Sequence, residues 1–191
     1  MNNSQDNLNL FSNLPHHSIP KWTDLPEIDL YMDQVISLME KYLVDNTSPD
    51  SKLITPSMIN NYVKLGIMPA PIKKKYSREH LAYLIIICSL KQVMPLPNIK
   101  DLIEQKLQKN TIAETLDFYS DLYDFTYQTL LKTCKTYLES KEYKIENAED
   151  TSLFTAIAAA NCIQLSNTIF YINHPQKQKN TNKKKNKEDK K

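Results

Sequence analysis

The chain has 191 residues, 41% of them apolar, and a net charge of +2. That is enough to build one domain of moderate size, or a small domain with an appendage. It contains no run of about 18 purely apolar residues. The Asn-rich start, residues 1–13, lacks a basic stretch leading into an apolar one. Neither a transmembrane helix nor a secretory leader is therefore expected, and no membrane partner. Cys88, Cys134 and Cys162 are far apart and odd in number. They read as reduced core thiols of a cytoplasmic protein.

Residues 1–21 read as a disordered polar arm. His16 and His17 have no cysteine or carboxylate cluster beside them, so a solvated arm is the reading rather than a metal site. Trp22 to Pro26 reads as an extended approach. A helix is expected over about 27–44, with Leu30, Val35, Leu38 and Leu43 on a broad apolar face. A polar loop follows at 45–51.

The next helix, 56–65, is the best signalled. Thr55 is placed to cap it, and Pro56 suits its first position, where no amide donor is needed. Ile59, Tyr62 and Val63 share its apolar face, leaving Ser57, Asn60, Asn61 and Lys64 opposite. Gly66, the single glycine against ten prolines, stands at its exit, where a positive φ is most often needed.

Ser77 is placed to cap a third helix, running to about residue 93. Leu81, Leu84, Ile85 and Cys88 lie in it, and it is apolar nearly all round, as a central core helix would be. Pro95 and Pro97 break the chain. A helix over 97–108 should bury Ile99, Leu102, Ile103 and Leu107. Thr111 and Glu114 form a capping box ahead of a long helix to about 141. Its stripe is Leu116, Tyr119, Tyr123, Tyr127, Leu130, Cys134 and Tyr137. Ordinary helix packing is the reading for its aromatic residues, with a small-molecule pocket lined by Phe118, Tyr119, Tyr123, Phe125 and Tyr127 as the alternative. Asp150 or Thr151 caps a last helix ending near 173. Its alanines at 156 and 158–160 would let another helix approach closely, either inside this chain or across a dimer interface. Residues 174–191 form a Lys-rich tail too polar to fold.

Charge is unevenly spread. Residues 52–109 carry ten basic and three acidic groups, a net of +7, and residues 174–191 a net of +6. The intervening and preceding blocks are acidic. A polyanionic partner is implied, double-stranded DNA first. Asn60, Asn61 and Ser57 are the candidate base readers, since asparagine pairs both N6 and N7 of adenine. Lys64, Lys73, Lys74, Lys75 and Arg78 are candidate phosphate contacts. Residue types alone also allow a merely solvated loop at 73–75. No glycine-rich phosphate loop or catalytic spacing of His, Cys and Ser occurs, so no enzyme activity, cofactor or metal is expected.

Three segments carry a resemblance: Ile59-Asn60-Asn61-Tyr62-Val63-Lys64-Leu65-Gly66-Ile67-Met68-Pro69, Tyr76-Ser77-Arg78-Glu79-His80-Leu81 and Leu96-Pro97-Asn98-Ile99-Lys100-Asp101-Leu102. Together they resemble the DNA-binding domain of MerR-type regulators over about residues 28–108. Asn60 and Asn61 stand where that pattern has Arg and Tyr, and Tyr62 keeps the second Tyr. The segment from Gly66 to Tyr76 is shorter than the usual wing. More closely, Trp22 to Asn173 resembles a Gram-positive bacterial family catalogued as a domain of unknown function, through its L-Y-M-D-Q-V, M-I-N-N-Y-V-K and K-K-K-Y-S segments.

The resemblance implies an all-α fold: a winged helix-turn-helix domain over 22–109, then a C-terminal helical hairpin over 110–173. It implies phosphate contact by Tyr62, a homodimer through 110–173, and transcriptional regulation. The alternative is a protein-interaction module on the same scaffold without DNA binding.

Overall fold

The protein is described by a computed structural model over residues 18–43, 53–140 and 148–175. Among these residues it is all-helical. A 3-10 turn, Trp22–Asp24, precedes α1 (Met32–Tyr42), α2 (Pro56–Lys64), α3 (Arg78–Leu90), α4 (Leu96–Leu107), α5 (Ile112–Ser140) and α6 (Ala148–Asn173). The expected disorder of residues 1–17 and of the tail from 176, and the loop joining the expected hairpin, fall outside the described residues.

The chain divides into two compact units. Of the described residues, those up to Tyr137 form the first and those from Leu138 onward belong to the second. In the first unit α3 is the central helix. Leu81, Leu84, Ile85, Ile87 and Cys88 are fully buried in it, and α1 and α4 pack on it. Burial pushes the Cys88 thiol up to about 11. Of the three cysteines only Cys88 is a core thiol; Cys134 is half-buried and Cys162 exposed.

Two sets of long-range ties correct the expected boundaries. Leu30 and Tyr76 form an antiparallel bridge, each amide donating to the other's carbonyl at 2.9 and 2.8 Å. Leu30 is thereby held extended, and α1 begins at Met32 rather than at 27. The Tyr31 amide just before it donates to Gln34 Oε1. Residues 18–21 are no part of a loose arm. Ile19 is buried, and its carbonyl accepts a 2.6 Å hydrogen bond from Ser120 Oγ. The Trp22 amide donates to Asp117 at 2.7 Å, and Lys21 pairs with Asp121. The segment Trp22–Asp24 is a 3-10 turn, not an extended run. The first turns of α5 thus belong with the unit that a boundary at 109 would have cut short.

The capping box holds: Thr111 and Glu114 exchange amide-to-side-chain bonds of 2.7 and 3.2 Å. In α4 Ile99 and Ile103 are buried as expected, whereas Leu102 and Leu107 stay half-exposed.

Helix α6 carries no charged residue from Thr151 to Asn173, and Leu153, Ile157, Leu165 and Ile172 are more than half exposed. Its segment Glu149–Asn173 is long and apolar enough to cross a membrane by length and composition, an 18-residue stretch within it having a mean hydropathy of 1.3. Scattered Asn, Gln and Thr interrupt purely apolar runs there but bring no charge.

Candidate nucleic-acid interface

Helix α2 is built as its sequence suggests. The Met58 amide donates to Thr55 Oγ1 at 3.3 Å, and Pro56 occupies the first turn. At its end, the Ile67 amide donates to the Tyr62 carbonyl and the Gly66 amide to the Val63 carbonyl. This pair of bonds is the Schellman closure, and Gly66 takes the φ of 64° that it demands. Ile67 and Tyr62 are both buried beside the turn.

Ile59 and Tyr62 face the core. Ser57, Asn60, Asn61 and Lys64 are exposed on the opposite face. Residues 57, 61 and 64 lie four and three apart, one stripe of a helix, with Asn60 beside it. Tyr62 is 3% exposed, and burial pushes its phenol up to about 12. The phosphate contact expected of Tyr62 has no surface to act from. Periodicity had already placed it with Ile59 on the buried face.

The segment after Gly66 closes into a very tight hairpin. Ile72 and Lys75 pair through both amides at 3.1 and 2.9 Å. Lys73 and Lys74 at the tip have φ of 52° and 63°, which makes this a two-residue turn of the I′ kind, usually given to Asn-Gly. Among the described residues this single bridge stands in place of two wing strands, as the short spacing from Gly66 to Tyr76 anticipates. Left-handed backbone costs an ordinary L-residue about 1–2 kcal/mol. Two lysines are thus held at an exposed tip against local preference.

The surroundings hold both ends of the hairpin. His80 is buried and serves as the cap of α3: its Nδ1 accepts from the Ser77 amide at 3.0 Å, and its Nε2 meets the Ala70 carbonyl at 3.2 Å. An acceptor at Nδ1 fixes the tautomer with the proton on Nε2, so both ring nitrogens are used. Tyr76, bridged to Leu30, packs edge-on against the His80 ring. A histidine thus fills the place that Glu or Gln takes in the usual capping box.

The remaining cations divide. Lys73, Lys74 and Lys64 are exposed. The Lys75 ammonium lies 5.3 Å from the Tyr31 ring centroid. Arg78 is turned inward. Its side chain is 19% exposed, pairs with Glu27 at 3.3 Å, reaches the Pro26 carbonyl and stacks on Trp22. It straps the segment before α1 to the start of α3, and its expected phosphate role is replaced by that strap. Lys100, on α4, donates to the Leu65 carbonyl at the end of α2, and Lys91 donates to the Leu53 carbonyl just before it. Those two lysines anchor α2 at both ends. Neither anchor is legible in the sequence, because the partner carbonyls lie 35 and 38 residues away. Among the described residues no group of His, Cys, Asp and Glu is arranged to hold a metal ion.

Neither the curated proteins nor the solved structures include a match to this chain. A family does match, over residues 20–125. That span takes in the Lys21–Asp121 tie, both lysine anchors and the hairpin, and it ends well short of the Asn173 limit expected from sequence. With more than half its length covered, the chain belongs to the family described as Domain of unknown function (DUF1836).

Proposed function

We propose that this protein is a DNA-binding transcriptional regulator of MerR-like, winged helix-turn-helix type. Helix α2 enters a major groove, with Ser57, Asn60 and Asn61 toward base edges and Lys64 toward a phosphate. Lys73 and Lys74 at the hairpin tip, with Lys75 beside them, contact the backbone. The likeness of the three segments to MerR-type regulators supports the type, and the family's Gram-positive bacterial character is part of the same reading. Residues 110–173 supply a homodimer contact.

The carrying observation is the hairpin tip. Two adjacent lysines occupy left-handed backbone beside a capped helix whose outer face is polar and free. Strain kept at an exposed position, where Asn-Gly would remove it, points to a use for the ammonium groups.

The test is fluorescence anisotropy on a library of bacterial genomic fragments across a salt series. Each phosphate contact contributes about −0.9 to the slope of log K against log salt. Replacing Lys73, Lys74 and Lys75 by alanine should weaken binding on every fragment and flatten that slope. Asn60→Ala or Asn61→Ala should change fragment preference by about 1–3 kcal/mol. Absence of binding to any fragment at low salt would overturn the reading.

The exposed, uncharged face of α6 favours one other reading, a protein-interaction module on the same scaffold. A stable protein partner whose capture survives the triple alanine change, in a chain that does not bind DNA, would establish it instead.

A further inference from the structure

Within the first unit, α3, α4 and α5 enclose an open cleft of about 640 Å³. Its walls are Ile86 and Leu90 of α3, Leu102 and Ile103 of α4, and Phe118 and Leu122 of α5. Phe118 is 51% exposed and Leu122 45%, so this apolar surface is uncovered rather than core. The polar hydroxyl of Tyr119, which also lines it, is satisfied by Ser89 Oγ at 2.9 Å. The cleft therefore asks little hydrogen bonding of an occupant along its length. Its volume falls in the range of small-molecule sites, about 300–1,000 Å³.

The lining also carries charge. Lys106, in the last turn of α4, and Lys109, just beyond the helix, belong to it together with Gln105 and Gln108. No Asp or Glu is among the lining residues. The Lys106 ammonium lies 3.8 Å from the centre of the Phe118 ring, so the cation stands directly at the apolar surface. Every lining residue lies between 86 and 122, inside the span shared with the family.

An apolar trough with two cations and no carboxylate in its lining fits one kind of molecule. We propose that this cleft binds a single-chain fatty carboxylate. Its alkyl chain lies along Ile86, Leu90, Leu102 and Leu122, and its carboxylate meets Lys106 and Lys109. The inference is independent of DNA binding.

It is tested on the full-length protein without DNA, using dansyl-undecanoate as a fluorescent probe and palmitate as competitor. Saturable probe binding, displaced by palmitate and much less by methyl palmitate, is expected. Leu102→Trp, which fills the trough from a half-exposed wall, should weaken probe binding at least tenfold. Lys106→Glu with Lys109→Glu should do the same by reversing the charge of the lining. Both lysines are at the surface, so this second variant keeps its fold, which circular dichroism checks for both. No saturable binding by the native chain, unchanged affinity in either folded variant, or binding to anionic phospholipid vesicles without binding to monomeric palmitate would overturn the proposal.

Discussion

The Lys100 ammonium donates a 3.2 Å hydrogen bond to the Leu65 carbonyl, linking residues thirty-five apart. A cation at a helix C-terminus is favoured by the dipole, and here it also satisfies a terminal carbonyl. Its ion pair with Glu104, at 3.7 Å on the surface, adds little. Lys100→Met should cost about 0.5–1.5 kcal/mol by urea denaturation. Amide exchange should accelerate locally at Gly66 and Ile67, whose bonds close the same turn. Exchange unchanged there would show that Gly66 alone sets the turn.

Gly66 can be separated from its neighbour. A Cβ built there meets only Lys100 Nζ, at 3.3 Å, the movable end of a long side chain. Space is therefore a minor cost and the φ of 64° the major one. Gly66→Ala should destabilise by about 1–2 kcal/mol, and Gly66→Asn by less, since Asn tolerates this conformation. Equal losses for Ala and Asn would point to crowding instead.

The hairpin tip sets stability against use. Lys73→Asn with Lys74→Gly removes the left-handed penalty and should raise stability by about 1–3 kcal/mol in total. The same change should lower DNA affinity and reduce the salt slope by nearly two, at about 0.9 per contact. Greater stability with undiminished DNA binding would separate the strain from any contact with phosphate.

Alkaline stability follows from two buried acids. Cys88 is pushed from 9.0 up to about 11 and Tyr62 from 10.0 up to about 12, both chiefly by burial. The folded chain holds these protons more tightly than the unfolded one. Stability is thus untouched below pH 9 and erodes between pH 9 and 12, by roughly 1 kcal/mol per pH unit for each group while it titrates. Urea midpoints at pH 8, 9.5 and 10.5 check this, and Cys88→Ala should flatten the earlier part of the decline. With a thiol reagent at neutral pH, exposed Cys162 should react at once and Cys88 only on unfolding.

What the sequence made legible was local. Thr55, Pro56 and Gly66 bound α2, and Thr111 with Glu114 opens α5, because each signal acts within a few residues. The central place of α3 followed from its apolar circumference. The illegible parts are pairings across long separations. Leu30 with Tyr76 shortens α1, and Ser120 with Ile19 turns expected arm into core. Arg78 was an obvious phosphate ligand by type, yet Trp22, Glu27 and Pro26 all lie more than fifty residues earlier and claim it. Tyr62 shows two sequence arguments in conflict. Helical period put it inside, a family likeness put it on phosphate, and its burial agrees with the period. Leu102 drew the opposite error, since a position on an apolar stripe can border a cleft as readily as a core.

The bond from Ser120 to Ile19 spans 101 residues, and Trp22 reaches Asp117 across 95. During synthesis the amino-terminal segment must wait, apolar residues uncovered, until α5 has left the ribosome. The helices between can form earlier, but the unit cannot close until then, and contacts this distant slow folding. A fragment halted at residue 109 would keep the whole proposed reading surface and lose the seat for Ile19, Lys21 and Trp22. Any attempt to isolate the DNA-facing part should therefore carry the chain beyond Asp121.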